Sequence, residues 1–155
     1  MQNSFLLRAI ELAVQNVQNH TGGPFGAVVV RDGVIVAEGA NQVTASLDPT
    51  AHAEVVAIRA ACLKLGTFDL KGCIVYSSCE PCPMCLAAIY WSRADKLVFA
   101  ANRHDAAAAG FDDEFLYREL SLPLRDRSLP IEQDHREEAI AAFDAWRIDN
   151  GKVRY

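Results

Sequence analysis

The chain has 155 residues, 51% hydrophobic and 23% charged, a balance that suits one folded domain spanning 1–155 and excludes a disordered or fibrous polymer. A net charge of −5, with Lys and Arg dispersed among acids as in Arg125-Asp126-Arg127, leaves no basic cluster to neutralise phosphates, so a small uncharged substrate is expected rather than nucleic acid. No stretch approaches the roughly eighteen apolar residues of a membrane span, Met1-Gln2-Asn3-Ser4 opens no signal-like segment, and five cysteines suit a reduced compartment, so a soluble cytoplasmic protein with no membrane partner is expected.

Residues 4–18 carry Phe5, Leu6, Ala9, Ile10, Leu12, Ala13 and Val17 at spacings of three and four, the pattern of a helix with one buried face, with Asn3 placed to cap it. Phe25 to Val30 is rich in β-branched residues, Asp32-Gly33 turns the chain, and Val34 to Ala37 returns as a hairpin. Gly22-Gly23 before Pro24 reads either as a close approach of backbone or as a plain flexible connection. Asn41 to Pro49 has little regular character, and Asp48-Pro49-Thr50 feeds a helix over 51–65 that Gly66 closes.

Cys73 to Ser77 reads as a strand, Cys82 to Trp91 as a helix apolar nearly all round and hence buried, and Lys96 to Ala101 as another strand. The alternation of helices and strands predicts a βαβ crossover, with the residues at the helix N-termini converging at one edge of the sheet. Beyond 101 the signal weakens. Ala106 to Ala109 is a small-residue run and His104-Asp105 a loop pair with Asp as N-cap. A short helix is expected within 111–120, a loop over 122–130, a short strand over 131–133 and an amphipathic helix over 137–148.

The chemistry concentrates in two motifs. His52-Ala53-Glu54 opens one helix and Pro81-Cys82-Pro83-Met84-Cys85 opens another about thirty residues later. Imidazole nitrogen and two thiolates suit one Zn2+ per subunit, and three protein ligands leave a corner where water binds and is acidified to a pKa of about 7. Glu54, two residues after His52, is placed to carry protons without binding metal. The order H-x-E then P-C-x-x-C is the signature of zinc nucleobase deaminases. The competing reading is a zinc-stabilised binding protein, its site closed by Cys79 and Glu54 idle at a helix terminus. Cys62 and Cys73 read as core residues, and Trp91 and Trp146 as core or interface aromatics.

These motifs resemble the cytidine deaminase superfamily. GGPFGAVVV at 22–30, DPTAHAEVVAIRAAC at 48–62, SSCEPCPMCLAAIYW at 77–91, AGFDDEFLY at 109–117 and AWR near the end resemble the bacterial guanine deaminases within it. The resemblance implies a three-layer α/β/α sandwich with a central mixed sheet, and zinc-dependent hydrolysis of guanine to xanthine and ammonia. It leaves guanosine, cytosine or another aminated heterocycle as alternatives for the same mechanism. It places His52, Cys82 and Cys85 on zinc and makes Glu54 the catalytic acid and base. Phe25 would stack on the purine, Asn41 would hydrogen-bond its edge, the Ala53 backbone would lie beside the reacting water, and Asp113 would receive guanine's polar edge. Tyr155 would close the pocket, and a C-terminal segment over about 135–155 would swap onto the second subunit of a homodimer. As plain structure, Phe25 would be core, Asn41 and Asp113 turn formers, and Tyr155 a chain end.

Overall fold

The structure is a computed structural model describing residues 2–155; the side chains of 2 and 3, and with them the cap expected of Asn3, lie outside the described residues. The chain forms two compact units, Met1–Glu114 and Phe115–Tyr155.

In the first unit, helix α1 (Gln2–Gln18) precedes the hairpin β1 (Gly26–Arg31) and β2 (Val34–Ala40). A short helix α2 (Val43–Ser46), in a stretch read as irregular, leads to α3 (Ala53–Leu65), then β3 (Cys73–Cys79), α4 (Pro83–Ser92), β4 (Lys96–Ala101) and α5 (Arg103–Ala108). The sheet order is β2-β1-β3-β4, with β1 antiparallel to both neighbours and β3 parallel to β4. Because β2 and β3 both oppose β1, they run the same way, and the helices that follow them, α3 and α4, start at the same end of the sheet.

Alternation along the strands builds a core on each face. Ala27, Val29, Cys73 and Val75 pack with Ala53, Ala57 and Ala61 of α3 and Ile89 of α4. On the other face Val28, Val30 and Tyr76 pack with Phe5, Leu6 and Leu12 of α1. The result is the expected three-layer sandwich around a mixed sheet. Arg8 of α1 clamps β2 from this side, giving two hydrogen bonds of 2.8 Å to Glu38.

Helix α5 shows why the small-residue run is ordered. Asn102 is the N-cap, accepting from the backbone N–H of His104 and Asp105, while Asp105 accepts from the Asn102 N–H as the far side of a capping box. Asp105 is therefore the third helical residue and not the cap expected from the sequence. Helix α4 is corrected too. Cys85, Ile89 and Ser92 are buried, but Tyr90 and Trp91 are exposed, so its apolar periphery is not enclosed by this chain.

Helix α6 (Glu114–Ser121) bridges into the second unit, which continues with a 3-10 turn (Leu124–Asp126) and α7 (Arg136–Ile148). Residues 131–133 are not a strand. Three apolar or polar residues bounded by Pro130 and Asp134 find no pairing edge, and short strands need one. Phe143, Ile148 and Val153 are exposed, as is Trp146, which is no core residue; its ring meets that of Tyr155 edge-on at 6.4 Å.

Candidate metal and catalytic site

The two helix N-termini bring the motifs together. His52 is the N-cap of α3 in extended backbone, and its carbonyl accepts the first helical hydrogen bond from Val56 at 2.9 Å. Asp48 sets this entry by accepting from the Thr50 N–H and hydroxyl at 2.8 and 2.7 Å, a local turn that competes with helix and so delays its start. Cys82 is the N-cap of α4, Pro83 takes the first helical position, and Cys85 is the third residue. Pro83, and not Pro81, is the proline of the first turn, and it leaves Cys82 at the amide-rich end of the helix.

The ligand atoms of His52, Cys82 and Cys85 lie within 4.8 Å of one another, the only such group among the described residues. His52 Nδ1 faces both sulfurs, at 3.4 Å from Cys85 Sγ and 3.6 Å from Cys82 Sγ. Two soft sulfurs and one imidazole nitrogen converging on one point fit zinc with a corner to spare. Cys79 does not fill that corner. Its thiol points to the Asn102 carbonyl, 3.7 Å away, and burial raises its pKa to about 11.

Protonation follows from crowding. A hydrogen bond from Cys85, with further help from His52, holds the Cys82 thiol down to about 4, while that same bond and burial push Cys85 up. The bond to Cys82 raises His52 in turn. Metal binding needs both sulfurs as thiolates and the imidazole nitrogen unprotonated, so whatever protons the three donors hold leave as the ion enters.

Glu54 sits in the first turn of α3 and is 5% exposed, an unusual place for a carboxylate. Burial raises its pKa, opposed by hydrogen bonds that include one from Cys85 and one of 3.0 Å from the Ser77 hydroxyl. Ala53 between ligand and carboxylate is fully buried. A buried carboxyl hydrogen-bonded beside the three donors, with its pKa raised by desolvation, is the kind of group that general acid and base work uses.

Of the other expected residues, Phe25, Asn41 and Asp113 belong to the first unit. Phe25 packs on the α3 side of the core and meets Phe111 edge-on at 5.0 Å. Asn41 is buried; its N–H donates to the Phe25 carbonyl at 3.1 Å, and its Oδ1 accepts from Gly23 and Val43 N–H groups at 3.4 and 3.3 Å. Asp113 is half-buried; desolvation raises its pKa, followed by the negative charge of Cys82, which puts it within electrostatic reach of the cluster. Tyr155 belongs to the second unit.

Two contributors escaped the sequence reading. Ser77 bonds Glu54, and the Glu80 carboxylate accepts from the Arg103 N–H at 3.0 Å, tying the cysteine loop to the start of α5. The available signal was a pair of serines, Ser77-Ser78, ending a buried apolar strand, where polar groups need partners.

The chain belongs to the cytidine and deoxycytidylate deaminase zinc-binding family, whose profile matches residues 1–101, and this makes it a zinc-dependent deaminase. It is 54% identical over 152 residues to the guanine deaminase of Bacillus subtilis strain 168, covering 98% of this chain and 97% of that one. The X-ray structure of guanine deaminase from Bacillus subtilis superposes with a TM-score of 0.98 at 53% identity, covering 100% of this chain and 99% of the other. A tRNA-specific adenosine deaminase of Aquifex aeolicus is 42% identical over 91 residues, 57% of this chain and 60% of that protein.

Proposed function

We propose that this chain hydrolyses guanine to xanthine and ammonia, with His52, Cys82 and Cys85 holding zinc and Glu54 moving the protons. The observation that carries the site assignment is the buried Glu54 carboxyl on the first turn of α3, two residues from His52 and bonded to Ser77. The near full-length similarity to a guanine deaminase supports the substrate. The net charge of −5 argues against a tRNA substrate for the shared chemistry.

Zinc bound to the three side chains supplies an acidified water as nucleophile at neutral pH. Glu54 takes a proton from the attacking water and gives it to ring nitrogen N3 as the oxygen adds to C2. It then collects the remaining hydroxyl proton and delivers it to the amine, which leaves as ammonia while C2 becomes the carbonyl of xanthine. One carboxyl serves as base and acid in turn, which a group with a raised pKa does more readily than an ordinary carboxylate. Phe25 stacks on the purine, Asn41 bonds its edge, the Ala53 backbone lies beside the reacting water, Asp113 receives the polar edge of guanine, and Tyr155 closes the pocket.

The working unit we propose is a cytoplasmic homodimer with its C-terminal segment swapped. Supporting it are the exposed Phe143 and Ile148 in the second unit, and, in the first, an apolar cavity of about 440 Å³ lined by Val14, Val17, Phe25 and Phe111 among others. Among the described residues no helix is long and apolar enough to cross a membrane. Light scattering on the purified chain that gives a monomer mass would refute the dimer.

Ammonia release from guanine, guanosine, cytosine, cytidine and adenine, measured side by side on zinc-loaded protein, tests the substrate; inactivity on guanine with turnover of another base overturns it. Glu54→Gln tests the proton carrier. It is expected to lower kcat by about 10²–10⁴ with zinc content unchanged, and loss of zinc would contradict the role.

A further inference from the structure

Asn16 lies on the buried stripe of α1, in line with Ala9 and Ala13, and is 6% exposed. Its Nδ2 donates to two carbonyls from separate segments, Gly23 O at 2.8 Å and Asn41 O at 2.9 Å, and its Oδ1 accepts from the Thr21 hydroxyl at 2.6 Å. The two carbonyl acceptors fix which end of this amide is nitrogen. Gly22 completes the junction, since a Cβ there would lie 2.2 Å from the Asn41 oxygen and 2.9 Å from Asn16 Nδ2. Gly22 is thus a close backbone approach and not a flexible connection, whereas a Cβ at Gly23 would meet only ordinary contacts, from 3.4 Å.

One side chain therefore ties the loop that leads into Phe25 to the segment that carries Asn41. Around that tie Asn41 N donates to Phe25 O at 3.1 Å, Gly23 N donates to Asn41 Oδ1 at 3.4 Å, and Gly26 pairs with Ala40 at the end of the β1–β2 ladder, so Asn16 braces from α1 a junction that the hairpin begins. An apolar residue on this stripe would fill the core without holding either carbonyl, and a buried amide is tolerated only because every polar atom is matched.

We propose that Asn16 is a positioning residue for base recognition: it sets the separation of Phe25 from Asn41 and so controls affinity and selectivity without touching the base. The proposal rests on the assignment of Phe25 and Asn41 to the base site. Asn16→Asp is the sharp test. It keeps the oxygen that accepts from Thr21 and replaces the NH2 donor with an oxygen facing two carbonyl oxygens, so the junction opens. Thr21→Val removes only the hydroxyl that orients the amide, and carries the same test should Asn16→Asp fail to fold.

Kinetics use whichever base of the panel the unsubstituted protein turns over fastest. Asn16→Asp is expected to raise KM at least about tenfold with kcat within about threefold and zinc content unchanged, and to speed amide exchange at Gly23 and Asn41. Thr21→Val is expected to do the same more weakly. A proportional loss of kcat at unchanged KM, or amide exchange at wild-type rates, overturns the positioning role. An Asn41→Ala control separates the two readings. If its KM is unmoved, Asn41 leaves the base site and the proposal falls with it; if KM rises there and stays put in Asn16→Asp, the positioning role alone is wrong.

Discussion

Gly39 of β2 lies against the backbone of the helix that presents His52 and Glu54, leaving no room for a side chain. A methyl at this position would sit 2.4 Å from the Ala53 carbonyl oxygen and 2.6 Å from the Ala57 nitrogen, where ordinary contact begins near 3.4 Å. These are backbone atoms, and Ala53, Ala57 and Ala61 beside them are already fully buried, so α3 can yield only by moving as a body, by about 1 Å. Overpacking of this kind costs about 1–3 kcal/mol, which for a chain of this length lowers Tm by about 3–10 °C. The same displacement moves His52 and Glu54 away from Cys82 and Cys85, and an error of about 1 Å in a catalytic group costs about a hundredfold in rate. Gly26→Ala is the matched comparison, its added Cβ meeting Ala9 O at 2.3 Å and Ala13 N at 2.8 Å on α1, across the sheet. Calorimetry should show both variants losing stability, while a chelator competition should show weakened zinc binding in Gly39→Ala alone. A Gly39→Ala protein with wild-type Tm, or with zinc affinity equal to that of Gly26→Ala, would refute the reasoning.

Ser77→Ala removes the 3.0 Å hydroxyl contact to Glu54 and is expected to lower kcat about tenfold while zinc stays bound; kcat within error of wild type would contradict the role given to Ser77. Arg8→Met breaks the paired hydrogen bonds to Glu38, which hold that carboxyl below its ordinary range; both side chains are about one-third exposed, so the loss at neutral pH is about 1 kcal/mol or less. A depressed carboxyl stabilises above its unfolded pKa and ceases to as pH falls through the folded one. The Tm gap between wild type and Arg8→Met should therefore be full at neutral pH and close below about pH 4.5, and a constant gap would count against it. In zinc-stripped protein, brief alkylation near pH 6 should label Cys82, held to about 4, ahead of Cys79, raised to about 11, and zinc should protect Cys82; mass spectrometry showing Cys79 labelled first would reverse that order.

Local chemistry was legible in the sequence wherever one residue type has one reason to be there. The β-branched runs around Asp32-Gly33 gave the hairpin, and the bounds of β4 were read correctly as 96–101, because alternation and turn residues act within a few positions. The grouping of His52, Cys82 and Cys85 was legible because imidazole and thiolate donors at helix starts have few other uses. Residues acting through a neighbour were not. Asn16 belongs to the apolar stripe of α1 by spacing and to the loop at 21–25 by hydrogen bonding, and spacing alone says nothing of its partners. Asp105 fits a cap by residue type, and the pattern does not show that Asn102, three residues earlier, holds the α5 N–H groups. The apolar periphery of α4 predicts enclosure that Tyr90 and Trp91 lack, because hydrophobicity reports what a side chain avoids and not what covers it.

The step that turns two motifs into one site is a strand pairing with no local signal. The hairpin fixes β1 against β2, and the crossover through α4 fixes β3 beside β4, but neither says how the two pairs join. They join through β1 and β3, antiparallel from Ala27 opposite Ser77 to Arg31 opposite Cys73. Had these strands met in parallel, β2 and β3 would oppose each other, α3 and α4 would begin at opposite ends of the sheet, and His52 could not reach Cys82. A register slip of one residue would be as damaging, because it would turn Ser77 away from Glu54 and put Tyr76 into the α3 layer. The buried Val29 opposite Val75, with Val28 opposite Tyr76 on the other face, holds that register. The catalytic arrangement therefore depends on apolar side chains in the middle of the sheet as firmly as on its own ligands.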